Sequence, residues 1–301
     1  MRIFLTGGTG YIGSAVLDAL LRAGHGVTAM VRDPEKAEKL ANRGATPLMG
    51  ELGLPKTYRA ALAAADTVVH TAFEYSPRGV EKERAALELM LASLKGGAAA
   101  APRTFVYTSG IWVLGKTFLP ADETSTLAPI EFSAWRVAHE RMVLDANGDG
   151  LRTIVVRPGI VYGSGRGIVS DVLRDALNGL VRVVGDGGNH WACIYDRDLA
   201  DLYVRLVQSP DASGIYHAND EADERVVDIA EAIANHLSQR PDIRNMPIEE
   251  ARTKLGPYAD ALALDQVVRS PRARALGWAP TLRSVSGNVA RLFEEFRNSR
   301  Q

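Results

Sequence analysis

The sequence predicts an α/β protein: a doubly wound parallel sheet carrying a small, discontinuous C-terminal lobe. Three observations lead there. Short β-branched apolar runs alternate with helical patterns through the first half, the rhythm of βαβ units. Some of these runs are apolar almost without interruption, as in Thr153-Ile154-Val155-Val156, which suits strands covered by helices on both faces. The first run, Ile3-Phe4-Leu5, leads straight into Gly7-Gly8-Thr9-Gly10-Tyr11-Ile12-Gly13 and then an apolar helix.

Taken in order, Arg2 to Thr6 is the first strand, and a helix from Ile12 to Ala23 follows the glycine turn. Gly24-His25-Gly26 ends that helix and opens the second strand, Val27 to Val31. Pro34 starts a helix reaching Arg43, before a third strand at Thr46 to Met49. A helix at Thr57 to Ala65 leads to the fourth strand, Thr67 to Thr71, and one at Val80 to Leu94 to the fifth, Thr104 to Thr108. The last of the series are a helix at Glu131 to Asp145 and a strand at Thr153 to Arg157.

After Arg157 the pattern changes. Gly163-Ser164-Gly165-Arg166-Gly167 and Gly185-Asp186-Gly187-Gly188 read as loops. Helices fit Val169 to Leu180, Leu199 to Val207, Val226 to Leu237 and Val285 to Phe296, with a short strand at Ile215 to His217. Arg240 to Leu276 has weak periodicity and scattered prolines. The expected division is a nucleotide-binding domain over 1–163, with 192–218 packing on it, and a substrate lobe built from 164–191 and 219–301.

The glycines carry the first chemical reading. Residues 8 to 13 fit G-x-G-x-x-G, and Gly7, Gly10 and Gly13 offer an alternative spacing. Without a Cβ the chain turns tightly, and a diphosphate can approach the main-chain N–H groups at the helix start. A strand before and a helix after make this a dinucleotide-binding turn. In such sheets ligands lie beyond the carboxyl ends of the strands, which points to Gly7 to Gly13, Arg32-Asp33, Gly50-Glu51-Leu52, Thr71-Ala72-Phe73, Ser109-Gly110 and Pro158 to Gly163.

Composition excludes other classes. The chain has 301 residues, 46% hydrophobic and 24% charged, with net charge -1, enough to bury a full core and without a basic block for nucleic acid. One cysteine, Cys193, excludes an intrachain disulfide and reads as a buried apolar residue. No apolar run is long enough to span a membrane and no leader is recognisable, so a cytoplasmic protein is expected. The histidines at 70, 190 and 217 are isolated, so no metal site is expected.

The segments Thr6 to Gly13, Asp66 to Ala72, Phe105 to Ser109, Arg157 to Gly163 and Asp198-Leu199-Ala200 resemble the extended short-chain dehydrogenase/reductase family, the NAD-dependent epimerase/dehydratase group. The resemblance covers nearly the whole chain and implies a Rossmann fold. It also implies a cofactor site at Gly7, Thr9, Gly10, Tyr11, Ile12, Gly13, Arg32, Glu51, Leu52, Thr71, Ala72, Thr108, Arg136, Pro158 and Val161. The family's catalytic set is Ser or Thr with Tyr-x-x-x-Lys. Aligned through Gly115 and Glu140, those positions hold Gly110, Phe132 and Arg136, and no other Tyr-x-x-x-Lys occurs. Ser109 stands one residue early on a strand end, where that shift turns a side chain away.

Phenylalanine has no exchangeable proton, and arginine stays charged near neutrality, so neither replaces the lost acid. Arg136 is expected to hold ribose hydroxyls or to stabilise negative charge on a substrate oxygen. Tyr75, in the loop after the fourth strand, and His190, in a glycine-rich loop, are the preferred proton donors. Tyr162 reads as packing, and His139 stands roughly 10 Å along the helix from Phe132. Trp112 is a wall of the substrate site or a core residue.

At the second strand's end a carboxylate favours a ribose 2′-hydroxyl and an arginine a 2′-phosphate. Arg32 comes first and Asp33 could equally cap the next helix, so NADP is preferred to NAD. The leading expectation is an NADP(H)-dependent oxidoreductase of a small carbonyl or alcohol, with a non-standard proton donor. The alternative is a non-catalytic nucleotide sensor or scaffold; a nucleotide-sugar epimerase or dehydratase is the weaker variant. The helices at Val80 to Leu94 and Glu131 to Asp145 are the usual pairing surface in proteins of this kind, compatible with a homodimer.

Overall fold

The computed structural model describes residues 1–95 and 102–300. Its first half alternates β1 (Arg2–Thr6), α1 (Tyr11–Arg22), β2 (Gly26–Val31), α2 (Pro34–Asn42), β3 (Thr46–Met49), α3 (Arg59–Ala64), β4 (Thr67–His70), α4 (Gly79–Leu94), β5 (Arg103–Thr108), α5 (Glu131–Asp145) and β6 (Leu151–Pro158). Then come β7 (Ile160–Tyr162), α6 (Ile168–Leu177), β8 (Leu180–Val184), β9 (His190–Trp191), β10 (Cys193–Tyr195), α7 (Asp196–Gln208) and β11 (Gly214–Ala218). The chain closes with β12 (Glu224–Arg225), α8 (Val226–His236), β13 (Asp242–Met246), α9 (Ile248–Leu255), α10 (Tyr258–Leu262), α11 (Pro271–Ala275) and α12 (Val289–Asn298).

Seven strands form one sheet in the order β11-β6-β5-β4-β1-β2-β3, and the pairs from β3 to β6 are all parallel. This is the doubly wound Rossmann arrangement that the alternating sequence predicts. The strand order reverses at β1, which has β2 on one side and β4 on the other. The crevice at such a switch point opens beyond the carboxyl ends of the strands, here after Thr6 and His70.

The described residues form two compact units. The first comprises Met1–Ser109, Trp135–Val156 and Ala200–Tyr216. Its core includes Phe4, Leu62, Val68, Leu87, Met90, Phe105, Val143 and Val155. Arg152 on β6 closes the end of α7: its Nη1 donates to the carbonyls of Leu206, Ser209 and Ala212 at 3.2, 2.6 and 2.7 Å. The Leu206 carbonyl lies in the last turn of α7 and has no partner within the helix, and a cation there also meets the negative end of the helix dipole; the Ser209 carbonyl accepts from Ala212 N as well.

The second unit comprises Gly110–Ala134, Arg157–Leu199 and His217–Gln301. Here β7 pairs with β10 and β8 with β13, both parallel, while β9 and β12 run antiparallel. Two carboxylates fasten its late segment. Asp198, from the Asp198-Leu199-Ala200 motif, accepts from Thr281 N at 2.9 Å, Thr281 Oγ1 at 2.8 Å and Leu282 N at 3.0 Å. Glu224 accepts from Val285 N at 2.6 Å and Ser286 N at 2.9 Å.

Local differences from the sequence reading have local causes. The helix expected to reach Leu180 stops at Leu177, because Gly179 takes φ +86° and Leu180 enters β8. The helix expected over Thr57 to Ala65 is split: Pro55–Thr57 is a 3-10 turn and α3 starts after Tyr58. The buried Tyr58 ring stacks on Phe4 with centroids 6.1 Å apart. The helix expected from Val285 starts at Val289, behind a 3-10 turn. His190, expected in a loop, lies in β9 opposite Arg225. Among the described residues, no helix is long and apolar enough to cross a membrane.

Replacing Arg152 by Met keeps the stem but strips the α7 end of its donors. Leaving buried carbonyls unpaired costs about 1–3 kcal/mol each in the worst case. The expected outcome is a loss of about 2–4 kcal/mol in urea-unfolding stability, and a variant as stable as the parent would refute this role.

Candidate functional site

The cleft at the switch point lies within the first unit, with a volume of about 370 Å³. Its floor is the turn between β1 and α1. Gly7 takes φ +78°, and a Cβ there would lie 2.7 Å from both the Ala72 nitrogen and Thr71 Oγ1. A Cβ on Gly13 would fall 2.1 Å from the Gly7 carbonyl oxygen and 2.4 Å from Thr71 Oγ1. Both positions therefore exclude any side chain. Thr71 fastens the other side of the contact, donating through Oγ1 to the Thr6 carbonyl at 2.7 Å.

Gly10 is the N-cap of α1; no side chain caps the helix and its first turn holds no acidic residue. Amides of a helix's first turn have no acceptor within the helix and carry its positive dipole end. Gly7, Thr9, Gly10, Tyr11 and Ile12 line the cleft over them. The bare glycine cradle and this donor set fit a diphosphate, so the residues present suit a dinucleotide.

One wall comes from the ends of β2 and β3: Met30, Val31, Arg32, Gly50, Glu51 and Leu52. Asp33 does not contribute a side chain. Its carboxylate accepts from Glu35 N at 2.9 Å and caps α2, with Pro34 in the first turn. Arg32 is two-thirds exposed along its side chain and stands 3.9 Å from Glu74. The opposite wall is Thr71, Ala72, Phe73, Glu74 and Tyr75. Thus eleven of the residues expected at the cofactor are brought together by this cleft or its floor: Gly7, Thr9, Gly10, Tyr11, Ile12, Gly13, Arg32, Glu51, Leu52, Thr71 and Ala72.

Arg136 reaches the same surroundings from α5. Its guanidinium lies over the Trp135 ring at 4.3 Å and the Phe73 ring at 5.6 Å, and its Nη1 donates to the Thr108 carbonyl at 3.4 Å. Phe73 and Trp135 stack with centroids 4.8 Å apart. Thr108 itself turns its hydroxyl to Tyr203, at 2.6 Å. Tyr75 is 84% exposed and meets Phe73 edge-on. Pro158, at the end of β6, and Val161, in β7, belong to the second unit.

His190 also belongs to the second unit. Its backbone nitrogen and its ring Nδ1 both meet Asp265 Oδ1, at 2.9 and 2.8 Å. Asp265 escaped the sequence reading because it lies in the weakly periodic stretch, 75 residues away. Phe132 forms an aromatic cluster with Trp112 and Tyr258, at 5.7 and 5.4 Å between centroids. Ser109 is buried, with its hydroxyl unpartnered among the described residues.

Four other titratable groups, His139, His70, Tyr162 and Cys193, are not proton donors near neutral pH. Burial, helped by the charge of Arg136, pushes His139 down to about 4. Burial, with the charges of His139 and Arg136, pushes His70 down to about 3. Burial pushes the Tyr162 hydroxyl and the Cys193 thiol up, out of reach of neutral pH. Below the first unit's cleft sits a group that the sequence did not signal. Glu83 accepts from Tyr107 OH at 2.9 Å and lies 4.0 Å from His70 Nε2, while Thr6 Oγ1 meets His70 Nδ1 at 2.7 Å. Burial pushes Glu83 up to about 7, against the opposing effects of Arg136 and the Tyr107 hydrogen bond.

A Gly13→Ala exchange forces its Cβ against backbone, which cannot yield cheaply. The expected result is at least a tenfold loss of dinucleotide affinity by calorimetric titration. For Glu83 the sign follows from its raised value: the neutral carboxyl belongs to the folded state. Its contribution is full below the ordinary glutamate range near 4.5 and is lost as pH rises to about 7. Glu83→Gln should therefore raise stability by about 1–3 kcal/mol at pH 8 and leave it nearly unchanged at pH 4, as urea titrations at the two pH values will show.

Comparison with known proteins agrees with this geometry. Residues 3–219 match the model of the NAD dependent epimerase/dehydratase family. The chain is 32% identical to the uncharacterised protein C2A9.02 of Schizosaccharomyces pombe, over 96% of this chain and 98% of that one. It is 28% identical to a 4-hydroxy-2-methyl-3-oxo-4-farnesyl-3,4-dihydroquinoline-1-oxide ketoreductase of Stigmatella aurantiaca, over 84% and 78% of the two chains. Among solved structures, the human epimerase family protein SDR39U1 with NADPH superposes with a TM-score of 0.77 at 22% identity, covering 98% of this chain and 99% of that one. The glycine turn, the switch-point cleft and the match over most of the chain agree, and the chain belongs to the NAD dependent epimerase/dehydratase family.

Proposed function

We propose that the chain is an NADP(H)-dependent oxidoreductase acting on a small carbonyl or alcohol substrate. One observation carries the cofactor preference: Asp33 is committed to capping α2, while Arg32 lines the cleft and keeps its guanidinium exposed. A carboxylate at this strand end would repel a 2′-phosphate, whereas an arginine pairs with it. The SDR39U1 structure that resembles this fold holds NADPH, and a relative is a ketoreductase, which supports both halves of the reading.

When bound, the nicotinamide supplies the hydride; the chain's own residues bind, orient and shield. Amides at the start of α1 hold the diphosphate over Gly7, Gly10 and Gly13. Arg136, fixed between Phe73, Trp135 and the Thr108 carbonyl, holds a ribose hydroxyl or the substrate oxygen. Phe132 cannot pass a proton, so an epimerase or dehydratase, which needs an acid-base group at that position, is the weaker reading. Phe132 packed with Trp112 and Tyr258 favours a second reading, a nucleotide sensor without turnover.

The two readings separate in an assay of NADPH consumption over aldehydes, ketones and imines. Turnover that falls at least tenfold in Arg136→Ala supports the enzyme; tight NADPH binding with no turnover supports the sensor. Arg32→Ala is expected to weaken NADPH about 10- to 100-fold, the worth of one charge-assisted contact of about 1.5–3 kcal/mol, while NADH affinity stays level. Equal losses for both dinucleotides would overturn the NADP preference.

A further inference from the structure

We propose that Glu74 is a specificity-determining residue of the cofactor cleft: its carboxylate competes with the 2′-phosphate of NADP(H) for the Arg32 guanidinium, and so limits how far the site favours the phosphorylated dinucleotide. This rests on the NADP(H) reading above, and every residue it uses lies within the first unit.

Arg32 and Glu74 line the cleft from opposite walls, Arg32 just after β2 and Glu74 in the loop after β4. They meet across it, with Arg32 Nη1 standing 3.9 Å from Glu74 Oε2. That separation is within reach of charge attraction but too long for a hydrogen bond. The guanidinium is drawn to the carboxylate while its N–H groups stay available to another acceptor.

The two partners are mounted differently. Glu74 Oε1 accepts from Lys82 Nζ at 2.7 Å and from Ser76 Oγ at 2.9 Å. The Glu74 carbonyl accepts from Ser76 N at 2.9 Å and packs on Gly79, where a Cβ would fall 1.9 Å from that oxygen. The side-chain hydrogen bonds, that of Lys82 foremost, hold the carboxyl below the ordinary glutamate range against the effect of burial, so it is ionised near pH 7. The Glu74 side chain is 23% exposed, whereas that of Arg32 is 67% exposed. Glu74 is therefore the fixed partner, and Arg32, on a long stem in solvent, is the one that can turn.

A 2′-phosphate monoester carries a charge of about −1.5 to −2 near neutral pH and three acceptor oxygens. It can take a guanidinium through paired N–H···O bonds. Glu74 offers a single oxygen, since the other is held by Lys82 and Ser76. Arg32 therefore passes to the phosphate, but beside a carboxylate that cannot withdraw, and the competition and the like-charge repulsion reduce the affinity. A ribose 2′-hydroxyl is uncharged, so it neither displaces Glu74 nor is repelled by it. Glu74 thus acts on one dinucleotide and leaves the other alone. Lys82 sets how strongly it acts, by neutralising the carboxylate through Oε1.

The test is calorimetric titration of the full chain with NADPH and with NADH. Glu74→Gln keeps the side chain's length and an oxygen for Lys82 and Ser76 while removing the charge. It is expected to tighten NADPH about 3- to 10-fold, the range of a partly exposed charge pair, and to change NADH by less than about twofold. Lys82→Met leaves Glu74 without its neutralising partner and is expected to weaken NADPH by a similar factor, with NADH again level. On an Arg32→Ala background the gain from Glu74→Gln should shrink to less than about twofold, because the contested group is gone. NADPH affinity unchanged or weaker in Glu74→Gln, or unchanged or tighter in Lys82→Met, overturns the competition. So does a gain shared equally by NADH, or one that survives in full on the Arg32→Ala background. If Arg32→Ala alone still lowers NADPH affinity and spares NADH, the NADP(H) reading stands through that failure. Equal losses of both dinucleotides in Arg32→Ala, or a parent chain that binds no NADPH, overturn both.

Discussion

The first unit's cleft depends on one close approach: the Gly7 carbonyl, the Gly13 backbone and the Thr71 hydroxyl meet with no room for a Cβ. The sheet register makes this possible. Because β1 and β4 pair with Thr6 opposite His70, the residues that follow, Gly7 and Thr71, leave their strands side by side. Thr71 then ties itself to Thr6 through both its backbone nitrogen and its hydroxyl. Helix α1 is drawn down onto the strand ends, and its first amides face the crevice. Strand pairing, turn geometry and ligand recognition are here a single arrangement.

Around that arrangement the charges are sorted by burial. His70, Glu83 and Tyr107 lie within the first unit's interior, where ionised forms are disfavoured; Tyr107 donates to Glu83, and His70 Nδ1 meets Thr6 Oγ1. Arg136 is held by a different route, with aromatic faces beneath its plane and a carbonyl at its edge. The contrast explains why a Lys-to-Arg replacement changes chemistry as well as size. An arginine can be stacked and held, but it does not pass a proton.

Much of the first unit was legible in the sequence because its signals are local. The glycine turn, the β-branched runs and the Pro34 helix start each declare themselves within a few residues, and the helix Glu131 to Asp145 has the bounds expected. Asp33 was ambiguous between cap and ribose ligand, since both roles use the same residue at the same place; its contact with Glu35 N shows that it caps α2. The second unit was less legible because its pairings are distant and short. β8 finds β13 across some sixty residues, and neither His190–Trp191 nor Glu224–Arg225 is long enough to show alternation. Asp265 and Glu83 had no pattern to reveal them, because their partners are set by the tertiary fold alone.

The anchoring of the late segment by Asp198 has a consequence for biosynthesis. The first unit has all of its chain once Tyr216 has emerged from the ribosome, whereas Asp198 waits for Thr281 and Leu282, and its carbonyl for the Trp278 indole. During translation the nascent second unit therefore carries an uncapped acidic side chain until residues 278 to 282 arrive. The nucleotide-binding unit, by contrast, has its full set of segments some sixty residues earlier.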